Sequence, residues 1–362
     1  MTTAYINRIA TGVPRHDVHD VFVRYARTLF GEDDRRSTLL DRMAERSGIE
    51  HRYSFLQPAP DWETGPLLDT DGFYIRGHFP DTAARMRLFE AQAPQLAAET
   101  VERLKLGADR DRVTHLVITT CTGFSAPGLD LELIERCGLP ASVERTMIGF
   151  MGCYAAINAL KLARHIVRSE PDARVLVLNL ELCTLHMQET TDLAQVLCFL
   201  LFADGCAACL VSSEPEGLAL DSFKAVLLPN TRELMSWHIR GFGFDMVLSG
   251  QVPAAIHDAL RFGTQELLGS TSPEAIDLWA MHPGGRSILD AIERAFDLAP
   301  QALAASREVL RRYGNMSSAA VMFVLEEIMR LPERSLGRAG RGLAMSFGPG
   351  LVAETMQFRK VA

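Results

Sequence analysis

The sequence lacks a long apolar run, an excess of positive charge and a secretory leader. No stretch of about 18 consecutive apolar residues occurs in its 362 residues, so no membrane-spanning helix is predicted. The formal net charge of −8 argues against a nucleic-acid partner held through its phosphates. The N-terminus, Met1-Thr2-Thr3-Ala4-Tyr5, lacks the basic and apolar segments of a secretory signal.

The chain also lacks the paired cysteines of a disulfide framework. Its seven cysteines are an odd, scattered set and lie mostly inside apolar runs, which favours a reduced, cytoplasmic protein. Cys206 and Cys209 form a CxxC pair, but they lie on an alternating, strand-like run with no second pair nearby. We therefore predict no metal site.

What is present is enough apolar sequence for two lobes. With 48% hydrophobic residues, a chain of this length exceeds one small core. Each half runs strand–helix–strand and carries a polar residue at a helix start, Cys153 in the first and Asn315 in the second. This rough duplication predicts two related lobes, residues 1–213 and 214–362, packed as layers of helices and sheets. The halves share no obvious residue-level repeat.

Several helices can be predicted from hydrophobic periodicity and from the residues that interrupt it. A long helical pattern covers 81–106 and is interrupted at Pro94, where a kink or restart is expected. A single helix is predicted over 252–268. Another predicted helix, 39–47, carries Arg42 and Arg46 one turn apart on one face, in the most basic stretch of an acidic protein. The alternative interpretation of these arginines is a solvated helix face.

Cys153 is the first candidate catalytic residue. It follows a short apolar run with glycines and precedes a stretch of small and aliphatic residues that predicts a helix to about residue 168. A cysteine in the first helical turn faces unpaired backbone N–H groups and the positive end of the helix dipole. Both favour the thiolate. The alternative is a buried structural cysteine.

His282 and Asn315 are each predicted to lie at a loop–helix junction after an apolar, strand-like run. An imidazole is the usual partner of a thiolate, since it stabilises the charge and moves protons. An amide N–H₂ beside it would complete an oxyanion hole for a thioester carbonyl or an enolate. Taken singly, His282 also fits a hydrogen-bonded core residue and Asn315 fits a helix cap.

These residues lie in motifs that resemble one family. The chain resembles the type III polyketide synthases, the chalcone-synthase-like family of thiolase-fold enzymes, from about Leu39 to Phe358. Ala203 stands where the family more often has glycine, and Ser346 replaces the first glycine of the C-terminal signature. The resemblance is carried by Gly152-Cys153, His282-Pro283-Gly284-Gly285, Gly314-Asn315-Met316-Ser317-Ser318, Leu201-Phe202-Ala203-Asp204-Gly205 and Phe347-Gly348-Pro349-Gly350-Leu351.

The resemblance implies a thiolase-like αβαβα fold with two pseudo-duplicated halves and a likeness to homodimeric enzymes. It implies that Cys153 takes an acyl group from a CoA starter. His282 and Asn315 would bind the thioester carbonyl of malonyl-CoA and drive its decarboxylation, and the carbanion would attack the acyl chain on Cys153. No metal or redox cofactor is implied. Arg42 and Arg46 fall where the family places residues that hold coenzyme A phosphates.

Departures from the plant pattern bear on the starter. Cys121 replaces a threonine, Met246 replaces a second gatekeeper phenylalanine, and Trp237 and Cys183 lie in segments that resemble bacterial alkylpyrone and alkylresorcinol synthases. These features favour a fatty acyl-CoA starter, because Met is pliable and suits an apolar tunnel. The resemblance also places the following residues around the substrate: Phe202, Ser317, Gly284, Gly285, Gly348 and Pro349.

Other functions remain open at this point. The starter could be aromatic or malonyl-derived, and the cyclised product could be a pyrone or a resorcinol. A ketoacyl carrier-protein synthase III-like enzyme also uses Cys, His and Asn, but Phe202 and the signature at 347–351 argue against it. A Cys-His-Asn acyl-CoA hydrolase would consume no malonyl-CoA. A non-catalytic binding protein of the same fold would have no need for all three residues.

Overall fold

Thirteen strands and eleven helices form within residues 2–31, 34–332 and 340–361, the part of the chain that the computed structural model describes. The strands are β1 Tyr5–Gly12, β2 His16–Asp17, β3 Tyr53–Ser54, β4 His115–Thr120, β5 Glu144–Gly149, β6 Val175–Leu182, β7 Asp204–Ser212, β8 Gly217–Leu227, β9 Met235–Arg240, β10 Gly243–Leu248, β11 Leu278–Met281, β12 Arg341–Gly348 and β13 Val352–Val361. The helices are α1 His19–Leu29, α2 Asp34–Ser47, α3 Thr82–Arg103, α4 Leu129–Cys137, α5 Ala155–Ser169, α6 Leu193–Leu201, α7 Val252–Phe262, α8 Thr264–Leu268, α9 Arg286–Ala295, α10 Ala304–Tyr313 and α11 Ala320–Arg330.

Nine strands form one mixed sheet in the order β11-β12-β13-β8-β1-β7-β6-β4-β5. Strand β4 pairs in parallel with β5 and β6, and β11 pairs in parallel with β12. The two parts of the sheet join where β1 pairs with β8 at Tyr5–Ala219 and Ile6–Leu218. Strands β9 and β10 form a separate hairpin that the sequence patterns did not predict.

Alternate side chains along the strands pack on opposite faces of the sheet, as expected for strands buried on both sides. In the first half, Val117 and Val177 pack with α5 and α11, whereas Leu116 and Leu178 pack with α3 and α4. In the second half, Ala280 joins the same central cluster, and its neighbours on β11 pack against α7, α9 and α10. The layers therefore alternate as αβαβα, and the predicted fold class is confirmed.

A restart of the helix at Pro94 and a single helix over 252–268 were both wrong. Helix α3 runs without a break through Pro94, which is buried, so core packing outweighs the hydrogen bond that a proline removes. The single helix expected over 252–268 ends at Gly263, whose N–H donates to Ala259 O at 2.8 Å, and α8 begins at the next residue. The missed break is explained by an interior glycine that serves as a helix end.

The ends of the parallel strands position the functional residues. The carboxyl ends of β4, β5 and β6 lead into Cys121, the segment before Cys153, and Cys183. In the other half, β11 and β12 end immediately before His282 and Pro349. Ligands commonly bind at the carboxyl ends of such strands. Among the described helices, none has the length and apolar character to cross a membrane.

The CxxC pair lies within β7. Cys206 packs in the outer cluster with α3 and α4, and Cys209 packs in the central cluster with α5 and α11. Their side chains point to opposite faces because their separation of three residues is odd. The two sulfurs therefore do not converge.

Candidate active site

Cys153 lies in a tight turn between β5 and α5. Gly152 has φ +76°, and a Cβ at this position would lie 2.2 Å from Pro349 Cδ, so only glycine fits. A 3₁₀ turn over Gly152–Tyr154 precedes α5, and it places Cys153 at the N-terminal end of the helix. The thiol is buried and donates to Ser317 Oγ at 3.8 Å.

Burial works against ionisation of this thiol. It raises the pKa of Cys153 to about 12, although hydrogen bonds with Ser317 and Asn315 oppose the shift. The helix N-terminus alone led us to expect a lowered pKa. Burial therefore acts against the helix N-terminus, and a neighbouring base would help to form the nucleophilic thiolate.

His282 follows β11, and its backbone N–H donates to Met345 O at 2.8 Å. Both ring nitrogens are buried and have no hydrogen-bond partner among the described residues. Burial lowers the pKa of His282 to about 3, so the imidazole is neutral. A Cβ on Gly284 would lie 3.3 Å from the ring carbon Cδ2, and this close approach explains the glycine. A buried neutral imidazole with unused nitrogens is suited to accept a proton or bind a carbonyl.

Asn315 connects the two sides of the site. Its Nδ2 donates to Gly284 O at 3.3 Å, and its Oδ1 accepts from Ser317 N at 2.9 Å. These bonds orient the amide nitrogen toward the histidine loop. The chain of contacts from Cys153 through Ser317 and Asn315 to Gly284 brings together a thiol, an amide donor and the loop that bears the imidazole. Such a set suits acyl transfer.

A cavity, here called the catalytic cavity, opens beside this thiol. It contains most of the residues that the sequence placed around the substrate. Trp237 on β9 and Met246 on β10 are paired directly across the hairpin, and Trp237 Nε1 donates to Cys121 O at 2.9 Å. The cavity is lined by Cys121, Thr122, Gly152, Cys153, Cys183, His186, Phe199, Phe202, Met235, Trp237, Met246, Ser317 and Pro349.

Comparison with known proteins identifies the family. The description of the N-terminal domain of chalcone and stilbene synthases matches residues 2–215, and that of the C-terminal domain matches residues 219–362. The chain belongs to the chalcone and stilbene synthase family. It is therefore a type III polyketide synthase, an acyltransferase that depends on CoA thioesters.

Individual relatives agree with this assignment along the whole chain. The alpha-pyrone synthesis polyketide synthase-like Pks18 of Mycobacterium tuberculosis is 33% identical over 370 residues, which cover 99% of this chain and 91% of Pks18. The crystal structure of PKS-I from the brown alga Ectocarpus siliculosus matches with a TM-score of 0.88 and 30% identity, over 100% and 99% of the two chains. The type III polyketide synthase domain of Steely1 from Dictyostelium matches with a TM-score of 0.88 and 26% identity, over 99% of this chain and 100% of the domain.

Of the other residues predicted around the substrate, Gly348 lies against the nucleophile turn. A Cβ at Gly348 would lie 2.5 Å from the Tyr154 ring and 3.4 Å from Cys153 N. Gly284 and Gly285 line a different opening, a surface cleft that also contains Arg46 and Arg286. Arg42 is exposed and does not line this cleft.

Arg286 was not singled out in the sequence, although a signal was present. It is the first residue of α9, where a cation opposes the helix dipole. Its Nη1 donates to Arg46 O at 3.5 Å, which brings the two arginines together beside the histidine loop. A cation in an unfavourable helical position suggests a binding function.

Glu181 is a second residue that sequence reasoning did not assign to the site. Its Oε2 accepts from Cys121 N at 2.9 Å and Thr122 Oγ1 at 3.1 Å, and its Oε1 accepts from Ser318 Oγ at 2.6 Å. Burial raises its pKa to about 7. A carboxylate near the end of the buried, largely apolar strand β6 was the available signal.

A second, largely apolar cavity, here called the side cavity, adjoins the catalytic cavity. Cys183, Phe199 and Phe202 line both. The side cavity is lined by Val18, Val21, Phe22, Tyr25, Arg52, Ser54, Leu56, Pro58, Trp62, Leu68, Asp69, Tyr74, Cys183, Thr184, Met187, Phe199 and Phe202. It is formed mainly by α1, the irregular segment after β3, and the end of α6.

Proposed function

We propose that this enzyme condenses a fatty acyl-CoA starter with malonyl-CoA and releases an α-pyrone. The observation that carries the choice of starter is the side cavity, an apolar space that shares Cys183, Phe199 and Phe202 with the catalytic cavity. A flat aromatic starter needs no such extension. The pyrone product is supported by the similarity to Pks18, which is named for alpha-pyrone synthesis.

In this mechanism the Cys153 thiol passes its proton to His282, and the sulfur attacks the thioester carbonyl of the starter. CoA leaves as a thiol when it takes up that proton. His282 and Asn315 then hold the thioester oxygen of malonyl-CoA while carbon dioxide departs and an enolate forms. The enolate carbon attacks the acyl carbonyl on Cys153, and the C–S bond breaks. The elongated chain remains on CoA and returns to Cys153 for the next cycle.

Release follows the same chemistry. An enol oxygen of the elongated chain attacks its own thioester carbonyl, which forms the ring C–O bond and expels a thiol. Each of these steps uses side chains and substrate groups alone, so we infer that the reaction needs no metal or redox cofactor. The arginines of the surface cleft, Arg46 and Arg286, would hold the CoA phosphates, and exposed Arg42 would contribute from the same helix as Arg46.

The test is a panel of acyl-CoA starters with isotope-labelled malonyl-CoA, with products identified by mass. Burial of each methylene contributes about 0.8 kcal/mol, so kcat/KM is expected to rise about fourfold per methylene until the cavity is filled. If benzoyl- or coumaroyl-CoA is used better than every fatty acyl-CoA, or malonyl-CoA alone primes best, the fatty starter is excluded.

A single substitution tests the passage between the cavities. Cys183→Phe would add bulk where the two cavities meet, so it is expected to lower kcat/KM for long starters more than for acetyl-CoA. Cys121→Phe is the comparison, because Cys121 lines the catalytic cavity alone. If Cys183→Phe lowers kcat/KM equally for short and long starters, the acyl chain of the starter does not extend into the side cavity.

We also propose that the two halves of the chain are residues 1–213 and 214–362.

We propose further that the enzyme is a homodimer. Strand β5 is the edge of the nine-stranded sheet, and its face is exposed together with neighbouring apolar side chains. These side chains are Phe124, Leu131, Met147 and Met151. A second copy would cover them. Light scattering is expected to give about twice the chain mass of 40.0 kDa, and a single-chain mass would contradict the dimer.

A further inference from the structure

The side cavity carries two buried polar groups that have no partner in the described part of the chain. They are Arg52 Nη2 and the hydroxyl of Tyr25. Arg52 is 2% exposed and Tyr25 3% exposed. Buried hydroxyl and guanidinium groups almost always have hydrogen-bond partners, because an unpaired group loses the free energy of its hydration. Two such groups in the wall of one cavity point to a ligand.

The rest of the Arg52 side chain is fully engaged, which fixes the position of the free nitrogen. Nε donates to His19 Nδ1 at 3.1 Å, and Nη1 donates to the carbonyl oxygens of Phe199 and Phe202 at 2.7 Å each. The guanidinium also lies over the Phe22 ring, 4.8 Å from its centroid. Bonds on the other two nitrogens therefore fix the position of Nη2 on a residue that lines the cavity.

Arg52 has no ion-pair partner among the described residues. His19, which accepts from Nε, is held neutral because burial lowers its pKa to about 4. The Arg52 pKa is lowered to about 10 by burial, which still leaves the guanidinium charged at neutral pH. The charges of Asp17 and Asp204 act on Arg52 and oppose the lowering of its pKa, but neither carboxylate bonds to Nη2. An oxygen acceptor at this nitrogen would relieve the cost of burying it unpaired.

The other polar side chains of the cavity wall are already satisfied. The Asp69 carboxylate accepts the backbone N–H groups of Asp71, Phe73 and Tyr74. The hydroxyls of Ser54 and Thr184 pair with each other at 2.8 Å. Among the described residues that line it, the cavity thus offers an unpaired guanidinium donor and an unpaired hydroxyl, which can donate or accept.

We propose that the side cavity recognises a starter chain whose distal end carries an oxygen, with Arg52 Nη2 and Tyr25 OH as the donors. The apolar wall holds the methylenes, and the donors select an ω-hydroxyl or ω-carboxylate group over a terminal methyl. This inference rests on the proposed function, since it assumes that the acyl chain on Cys153 extends past Phe202 into the side cavity.

Competitive loading tests the proposal without requiring extension. Equimolar acyl-CoA pairs of equal chain length, one methyl-ended and one ω-hydroxy- or ω-carboxy-ended, are offered to the full-length enzyme over a series of lengths. The two acyl masses on Cys153 are then compared. We expect the oxygenated chain to win at one or more lengths by about three- to tenfold, the range typical of one hydrogen bond.

Tyr25→Phe is the decisive variant, because it removes a hydroxyl that has no hydrogen-bond partner within residues 2–31, 34–332 and 340–361, and it leaves the Arg52 contacts in place. It is expected to bring the loading ratio toward one. Tyr313→Phe, at a tyrosine on α10 outside both cavities, is expected to keep the wild-type ratio.

The outcomes separate the two proposals. If no fatty chain loads on Cys153, the proposed function fails. If methyl-ended chains load and extend but the oxygenated chain has no advantage at any length, this inference alone is overturned. It is also overturned if the enzyme prefers the oxygenated chain but neither Tyr25→Phe nor Arg52→Lys, which keeps the charge, changes that loading ratio.

Discussion

At Cys153 two local effects act in opposite directions. The N-terminal end of α5 favours a thiolate, but burial raises the thiol pKa to about 12, and burial also lowers the pKa of His282 to about 3. Burial thus favours the neutral form of each group. Transfer of one proton between them creates a pair of opposite charges, which a buried site stabilises better than a lone charge.

The first prediction concerns the nucleophile. Cys153→Ala is expected to abolish both product and the covalent acyl-enzyme, because the sulfur is the only group in the catalytic triad that forms the bond. Mass spectrometry of the digested protein after incubation with acyl-CoA measures this directly. Cys137→Ala, on α4 outside both cavities, serves as the control. An acyl mass on Cys121 or Cys183 in wild type, with none on Cys153, would contradict the assignment.

The second prediction concerns decarboxylation. Asn315→Ala and His282→Ala each remove a group proposed to bind the thioester oxygen of malonyl-CoA. Loss of one oxyanion donor lowers the rate by about 10²–10³. Carbon dioxide release from malonyl-CoA without a starter isolates this step from acyl loading. Asn315→Asp is the matched control for the amide, since it keeps the size and Oδ1 but lacks the donor, and it is expected to be as slow as Asn315→Ala.

At the scale of elements, most of the chain could be predicted from the sequence. The apolar run 174–180 predicts a strand, and the structure has β6 at Val175–Leu182; a helix predicted over 286–295 is α9. The failures have local causes. Pro94 lies inside a helix that tertiary packing preserves, and Gly263 ends one despite a continuous pattern. The hairpin β9–β10 was missed because its exposed residues weaken the alternation.

The start of α9 gives the third prediction. Arg46 and Arg286 line one cleft, and substitution of both by Ala is expected to raise KM for acyl-CoA and malonyl-CoA about tenfold or more, since each charged hydrogen bond contributes about 1.5–3 kcal/mol. kcat at saturation is expected to change little. Salt dependence of KM would also weaken. Arg294→Ala, near the other end of the same helix, is the control. If the double substitution leaves KM unchanged, Arg46 and Arg286 do not bind CoA and are only solvent-exposed surface residues.

At the scale of the whole molecule, candidate catalytic residues could be proposed from motifs, but the cavities could not be predicted. Cys153, His282 and Asn315 each lie in a short recognisable stretch. Arg52 and Tyr25 meet Phe202 only because α1, the segment after β3 and the end of α6 fold against one another. No local sequence pattern predicts that these segments pack together. Contacts between distant segments depend on packing across the layers, which periodicity does not specify.

Glu181 links these layers, and it gives the last prediction. Its carboxyl group joins the loop after β4 to Ser318, which precedes α11 in the other half of the chain. Burial raises its pKa from 4.5 to about 7 in the folded protein. The folded state therefore holds this proton more tightly than the unfolded state does. The resulting stabilisation is fully present below about pH 4.5 and is lost as the pH rises through about 7.

The loss amounts to as much as about 3 kcal/mol in the free energy of unfolding, at 1.36 kcal/mol per unit of pKa shift. Urea unfolding of wild type and Glu181→Gln at intervals between pH 5 and pH 8 measures it. Because Gln does not ionise, the variant is expected to gain stability relative to wild type as the pH rises. Asp204, whose pKa burial also raises to about 7, is present in both proteins and cancels in the comparison. Glu135→Gln, on the exposed face of α4, is expected to follow wild type. Parallel curves for wild type and Glu181→Gln would mean that Glu181 ionises in the folded protein at its ordinary pH, and that its hydrogen bonds from Cys121, Thr122 and Ser318 outweigh its burial.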